Sequence, residues 1–169
     1  MGNNINTKHK KIARLGVLAS LAMVLSYIEF LLPPIYAAVP GIKMGLPNIV
    51  IIFALYKFGF KEAAAVSFVR LVCVALLFGS MMTFAYSLAG AVLSLTVMAL
   101  LKLTNLFSST AVSIIGAICH NAGQILVAIL LLERVEIGYY MMVLTFTGAV
   151  AGLLIGLVSA YLIKALKKI

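Results

Sequence analysis

Apolar segments, separated by short clusters of charged and turn-forming residues, run through almost the whole chain. The six segments cover roughly residues 12–32, 46–60, 62–79, 84–103, 110–132 and 137–163. Such segments must be helical in lipid, because the backbone has to satisfy its own hydrogen bonds there. The sequence therefore predicts an all-α integral membrane protein, a single domain over residues 1–169 that forms a bundle of six transmembrane helices.

The first two segments differ from the others. A basic stretch, Lys8 to Arg14, precedes the first one as in a signal peptide, but the apolar run is long enough to span and no small-residue cleavage pattern follows. We therefore expect a retained first helix behind a short basic N-terminus, residues 1–11. The segment 46–60 is short for a full crossing, so a tilted, broken or partly re-entrant helix is expected there.

Basic residues predict the orientation of the bundle. Ten fall on one side of the predicted spans: Lys8, Lys10, Lys11, Arg14, Lys57, Lys61, Lys102, Lys164, Lys167 and Lys168. Lys43 and Arg134 fall on the other side. By the positive-inside rule both termini are cytoplasmic, in a multi-pass protein of the bacterial cell membrane. Topology and attraction to membrane lipid explain the net charge of +9 without a nucleic-acid partner.

The chain contains no aspartate, which removes several kinds of catalytic chemistry. Its acidic residues are Glu29, Glu62, Glu133 and Glu136. They provide no aspartate pair for magnesium and no Asp-based triad, and the sequence has no Gly-x-x-x-x-Gly-Lys-Ser/Thr phosphate loop. Cys73 and Cys119 lie in predicted spans without metal-site spacing. We expect no enzyme, no metal and no cofactor, but a membrane protein that binds or passes something.

Two groups of polar residues stand out inside the predicted spans. Arg70 lies about 12 Å along the third helix, where a cation costs several kcal/mol unless paired or hydrated, so we expect it to face the interior. The alternative is snorkelling to the headgroups. His120, Asn121 and Gln124 share one face of the fifth helix. They are expected to contact a polar ligand, or otherwise to form hydrogen bonds between helices.

Further candidates for ligand contact lie near the outer side. Glu29, at the outer end of the first helix, is expected to pair with Lys43 or to lie among headgroups. Asn48 opens the second segment, and Tyr86 lies on the fourth. The apolar connection 33–47 is interpreted as an interfacial linker or as a lid over a site open to the outside.

Small residues four apart predict close approach of helices. They are Gly148, Gly152, Gly156 and Ala160 in the sixth segment, and Gly16 and Ser20 in the first. Such stripes allow backbone contact in lipid. Internal packing is the default interpretation, and the alternative is a docking surface for another membrane subunit.

Three stretches, 40–50, 84–94 and 116–124, resemble one family. It is the membrane family called heptaprenyl diphosphate synthase component I, or the Gx transporter family, and the resemblance covers nearly the whole chain. The stretch from His120 to Gln124, His-Asn-Ala-Gly-Gln, is its most specific part. The family is grouped with the six-helix substrate-binding subunits (S components) of energy-coupling factor (ECF) transporters.

The resemblance implies an S component that imports a small vitamin-like or isoprenoid- or quinone-related solute. Such a subunit works with a transmembrane coupling subunit and ATPase subunits. S components dock through an Ala-x-x-x-Ala pattern in the first helix, to which Gly16/Ser20 and Ala22/Ser26 are the nearest equivalents. The family's other name implies the alternative, a non-catalytic membrane component of heptaprenyl diphosphate synthesis for isoprenoids and menaquinone.

The candidate residues suit a solute of mixed character. Lys43, Arg70 and His120 suit an anionic or phosphate-bearing molecule. The apolar loop and bundle suit an aromatic or isoprenoid body.

Overall fold

The computed structural model describes residues 2–31 and 45–166. These ranges form α1 (Gly2–Leu31), α2 (Asn48–Lys57), α3 (Phe60–Phe78), α4 (Met81–Thr104), α5 (Ser109–Leu132), a short 3₁₀ helix (Val135–Tyr139) and α6 (Tyr140–Ala165). The described part of the chain contains no strand. The predicted all-α architecture with six helices is therefore confirmed.

Four helical segments are long and apolar enough to cross a membrane: Lys8–Leu31, Met81–Thr104, Ser109–Leu132 and Val135–Ala165. α2 has 10 residues, a length of about 15 Å, which is half of a typical hydrocarbon core. It ends at a tight turn in which Gly59 adopts a φ of 111°, a conformation that favours glycine. The architecture is that of a membrane bundle, and full crossing by α2 and α3 remains a prediction.

Two helices begin before the apolar pattern does. α1 starts at Gly2 rather than near residue 12, and the good helix formers Lys8, Lys10 and Lys11 account for its extension as far as residue 8. α4 starts at Met81 rather than 84, because a capping box fixes its first turn. Ser80 Oγ accepts a hydrogen bond from the Thr83 N–H at 3.2 Å, and Thr83 Oγ1 accepts one from the Ser80 N–H at 2.8 Å.

Polar contacts join the basic residues at one end of the bundle, which we call the basic end. The contacts are Lys11 with Glu62 at 2.6 Å, Lys57 Nζ with the Leu166 carbonyl at 2.5 Å, and Lys102 Nζ with the Leu55 carbonyl at 2.6 Å. The first turns of α3 and the ends of α2, α4 and α6 therefore meet there, and successive helices run antiparallel. These contacts agree with the predicted grouping for Lys11, Lys57 and Lys102, whereas Lys167 and Lys168 lie outside the described residues. The cytoplasmic position of this end stays a prediction.

Glycines hold α5 tightly between α4 and α6. A Cβ atom added to Gly152 of α6 would lie 2.8 Å from the Ile114 Cα atom of α5. One added to Gly123 of α5 would lie 2.8 Å from the Ala89 carbonyl oxygen of α4. No larger residue fits these crossings without moving the backbone, so the glycines of α6 serve internal packing.

Candidate functional site

A cavity of about 260 Å³ lies between the helices, toward the end of the bundle opposite the basic end. All six helices contribute to its wall. Six of the eight residues predicted to contact a ligand line it: Glu29, Asn48, Arg70, His120, Asn121 and Gln124. Residues far apart in sequence are thus brought to one space, and their binding of a ligand remains a prediction.

The other two predicted residues do not contribute to this wall. Lys43 lies outside the described residues. Tyr86 is on α4 but does not line the cavity, and its buried hydroxyl has no hydrogen-bond partner in the described part of the chain. The cavity-facing residues of α4 include Phe84 and Ser87 instead. One position along a helix is a rotation of about 100°, which the sequence does not specify without the neighbouring helices.

Arg70 faces the interior of the bundle, as expected from the free-energy cost of placing its charge in lipid. Its Nη1 atom donates a long hydrogen bond of 3.4 Å to Ser26 Oγ on α1. Its Nε atom is buried and has no acceptor among the described residues. The charge of Glu29 attracts the guanidinium. Arg70 is therefore held near α1 by weak contacts, beside the cavity.

Glu29 ties the end of α1 to the chain that enters α2. One of its carboxylate oxygens accepts a hydrogen bond from the main-chain N–H of Gly45. Gly45 adopts a φ of 75°, and its carbonyl accepts the N–H of Asn48 at 2.8 Å. The predicted pairing of Glu29 with Lys43 lies outside the described residues.

The three polar residues of α5, His120, Asn121 and Gln124, have different surroundings. Asn121 Nδ2 donates a hydrogen bond of 2.7 Å to the Leu144 carbonyl of α6. Gly148 makes room for it, since a Cβ atom there would lie 2.6 Å from Asn121 Nδ2. Asn121 therefore links helices, as the alternative interpretation has it. His120 and Gln124 line the same cavity beside α4.

Aromatic side chains that no sequence pattern indicates form an apolar part of the cavity wall. Phe30, Phe78 and Phe84 line it. The rings of Phe30 and Phe78 stack with centroids 5.4 Å apart, and Tyr27 lies against Phe78 at 5.5 Å. In a chain this apolar, a single phenylalanine gives no signal of the face it occupies, so only the tertiary structure identifies this wall.

The predicted docking residues of α1 separate into an internal and an exposed pair. Ala22 and Ser26 are buried, with exposed fractions of 0% and 7%. Ser26 also lines the cavity. This pair therefore faces the bundle and does not form a partner surface in this conformation. Gly16 and Ser20 are exposed, so docking through a small-residue pattern of α1 would have to use them.

The fold and the cavity define a class of protein, an all-helical membrane-type bundle with a mostly apolar cavity into which several polar residues converge. Among the described residues, no three His, Cys, Asp or Glu side chains lie together as they would to hold a metal ion. The profile of the family heptaprenyl diphosphate synthase component I matches residues 18–162, and the chain belongs to this family. Comparisons with curated proteins and with solved structures gave no match.

Proposed function

We propose that this protein is a membrane subunit that captures a small solute in the cavity between its helices. One observation carries the proposal: six polar residues from four different helices line one cavity, although Asn121 also bonds to α6 and Glu29 to the N–H of Gly45. Polar residues that only joined helices would not need to converge on one cavity. A mostly apolar cavity with a few convergent polar groups is the usual form of a ligand site.

Within this proposal the protein acts as the S component of an ECF-type importer in a bacterial cell membrane. The basic end would face the cytoplasm, following the positive-inside rule, so the cavity end would face the outside. The chain has no nucleotide-binding loop of its own. A transmembrane coupling subunit and ATPase subunits would therefore supply the energy for release of the solute inside.

Solute capture and its coupling are tested in two steps. Native mass spectrometry of the purified protein identifies a co-purifying solute, for which we expect one molecule per chain. Uptake of the labelled solute is then measured in vesicles that contain the protein with or without the coupling and ATPase subunits. Uptake only with those subunits is expected. Uptake by the protein alone would contradict the S-component role and indicate a secondary carrier.

The family description favours a second candidate, a non-catalytic membrane component of heptaprenyl diphosphate synthesis. The usual prenyl diphosphate synthases hold diphosphates through magnesium. A chain without aspartate would leave that chemistry to a soluble partner. Co-purification with an aspartate-rich synthase, together with raised synthase activity in the presence of this protein, is the expected result. If both are absent, this candidate is wrong.

A further inference from the structure

We infer that the cavity recognises an amphipathic anion, in which a carboxylate or phosphate group binds Arg70 and an apolar body contacts the aromatic wall. The inference rests on the proposed capture of a solute and adds the chemical class of that solute. It depends on three features of the described residues: the unused donors of Arg70, the groups around it that can donate hydrogen bonds, and the apolar wall beside it.

The contacts of Arg70 leave its hydrogen-bonding capacity largely unused. A guanidinium carries five N–H donors. The Nη1 hydrogen bond to Ser26 is long at 3.4 Å, and the buried Nε atom has no acceptor in the described part of the chain. An unsatisfied buried donor is costly. A carboxylate or phosphate group matches the fork of the guanidinium and supplies two acceptors at once.

Several groups that can donate hydrogen bonds line the wall around Arg70. Asn48 and Gln124 bring amide N–H groups to the cavity, and Ser87 brings a hydroxyl. The N-terminal end of α2, where Asn48 lies, adds positive potential from the helix dipole. The carboxylate on this wall, Glu29, already accepts the N–H of Gly45. The amide and hydroxyl groups can therefore donate to an anionic group that binds at Arg70.

The apolar part of the wall would contact an apolar body of the solute. Phe30, Phe78 and Phe84 line the cavity together with Leu71 and Val74. Contact with these side chains would bury apolar surface of the solute, which favours binding. A small inorganic anion would leave this surface uncovered, so an apolar body attached to the anionic group is expected.

The test uses three probes that differ in one part at a time: geranyl diphosphate, geraniol and inorganic pyrophosphate. A prenyl body is chosen because the family description names a prenyl diphosphate. Binding is measured by calorimetry on the full chain in detergent without phospholipid. We expect geranyl diphosphate to bind about tenfold or more tightly than either geraniol or pyrophosphate. Equal affinity for geranyl diphosphate and geraniol would overturn the inference.

Variants then test the part played by Arg70. Arg70→Met is expected to weaken geranyl diphosphate binding about tenfold to a hundredfold and to leave geraniol binding unchanged. Arg70→Lys, which keeps the charge without the fork, should fall between. The matched control is Arg134→Met, since Arg134 is exposed in the turn after α5. Unchanged geranyl diphosphate affinity in folded Arg70→Met, checked by thermal unfolding, would contradict the assignment.

A lipid phosphate has the same anionic chemistry, so the source of the anion is tested separately. Repeating the titration in nanodiscs of phosphatidylglycerol or phosphatidylcholine measures competition by lipid. Equal affinities in both are expected for a free solute. Competition by phosphatidylglycerol alone would overturn the assignment to a free solute.

Failure of the inference is distinguishable from failure of solute capture. A neutral solute that co-purifies and binds Arg70→Met as tightly as the unmodified protein would refute the anion and leave capture standing. If no solute co-purifies and none of the probes binds, capture itself is wrong.

Discussion

The two walls of the cavity differ in the hydrogen-bond partners that the protein supplies to their polar residues. On the wall of α5 and α6, Asn121 donates to the Leu144 carbonyl at 2.7 Å, and glycines bring the two backbones together. On the wall of α1 and α3, Arg70 has a 3.4 Å contact with Ser26 and a buried Nε atom without an acceptor in the described residues. A polar residue in a membrane helix thus serves as scaffold where the protein supplies its partner, and marks a candidate site where it does not.

The largest expected effect comes from disrupting the packing of α5 against α6. Gly152→Leu would force a Cβ atom to within 2.8 Å of the Ile114 Cα atom and 2.9 Å of the Ala117 Cβ atom. Backbone atoms cannot yield as a flexible side chain does, so we expect a loss of about 3 kcal/mol in the free energy of unfolding. Chemical denaturation in mixed micelles measures it.

Gly16→Leu is the matched control for this change, because nothing lies within 4 Å of a Cβ atom at Gly16. Its effect should stay within about 0.5 kcal/mol. Similar losses for both variants would mean that leucine disturbs any helix position, and that the α5–α6 crossing has no special role.

Arg70→Leu is expected to act in the opposite direction on the other wall. The substitution removes a charge whose desolvation the described contacts compensate poorly, so the ligand-free protein should gain about 1–2 kcal/mol in stability. Thermal unfolding without ligand measures this gain. Arg134→Leu, at an exposed position, should change little. A loss of stability in Arg70→Leu would show that attraction to Glu29 outweighs desolvation, and that this wall is also scaffold.

Asn121→Ala should give a smaller loss. It removes the 2.7 Å hydrogen bond to the Leu144 carbonyl, and such bonds between membrane helices contribute about 0.6–2 kcal/mol. The ligand-free protein should therefore lose about 1 kcal/mol in the same unfolding assay. Unchanged stability together with weaker solute binding would mean that Asn121 contacts the solute and does not stabilise the α5–α6 packing.

Much of the fold follows from the sequence, because apolar length and basic flanks are local signals. The spans 84–103, 110–132 and 137–163 lie within α4, α5 and the helical segment ending in α6. The start of α4 differs because a capping box at Ser80 and Thr83 depends on side-chain hydrogen bonds and not on hydropathy. Part of the difference at the start of α1 has another cause, because Lys8, Lys10 and Lys11 extend a helix as readily as apolar residues do.

The sequence predicts only those residues of the candidate site whose polar side chains would have a high free-energy cost in lipid. The free-energy cost of polar groups in lipid identifies Arg70 and the polar residues of α5 as candidates, and helical spacing puts His120 and Gln124 on one face. The aromatic residues Phe30 and Phe78 carry no such cost, so nothing local distinguishes those that face a cavity from those that face lipid. The small size of Ser26 predicts a partner surface, but the rotation of α1 turns its side chain toward Arg70.

The measurement that tests solute capture most directly compares polar residues of α5 that differ in place. His120 and Gln124 line the cavity, whereas Ser113 is buried outside it and donates to the Gly152 carbonyl at 2.7 Å. Affinity for the co-purifying solute and ligand-free stability are measured for His120→Ala, Gln124→Ala and Ser113→Ala. We expect the first two to weaken binding by about 1–3 kcal/mol and the third to leave it unchanged. Intact affinity in all three, with equal losses of ligand-free stability, would contradict a binding site in this cavity.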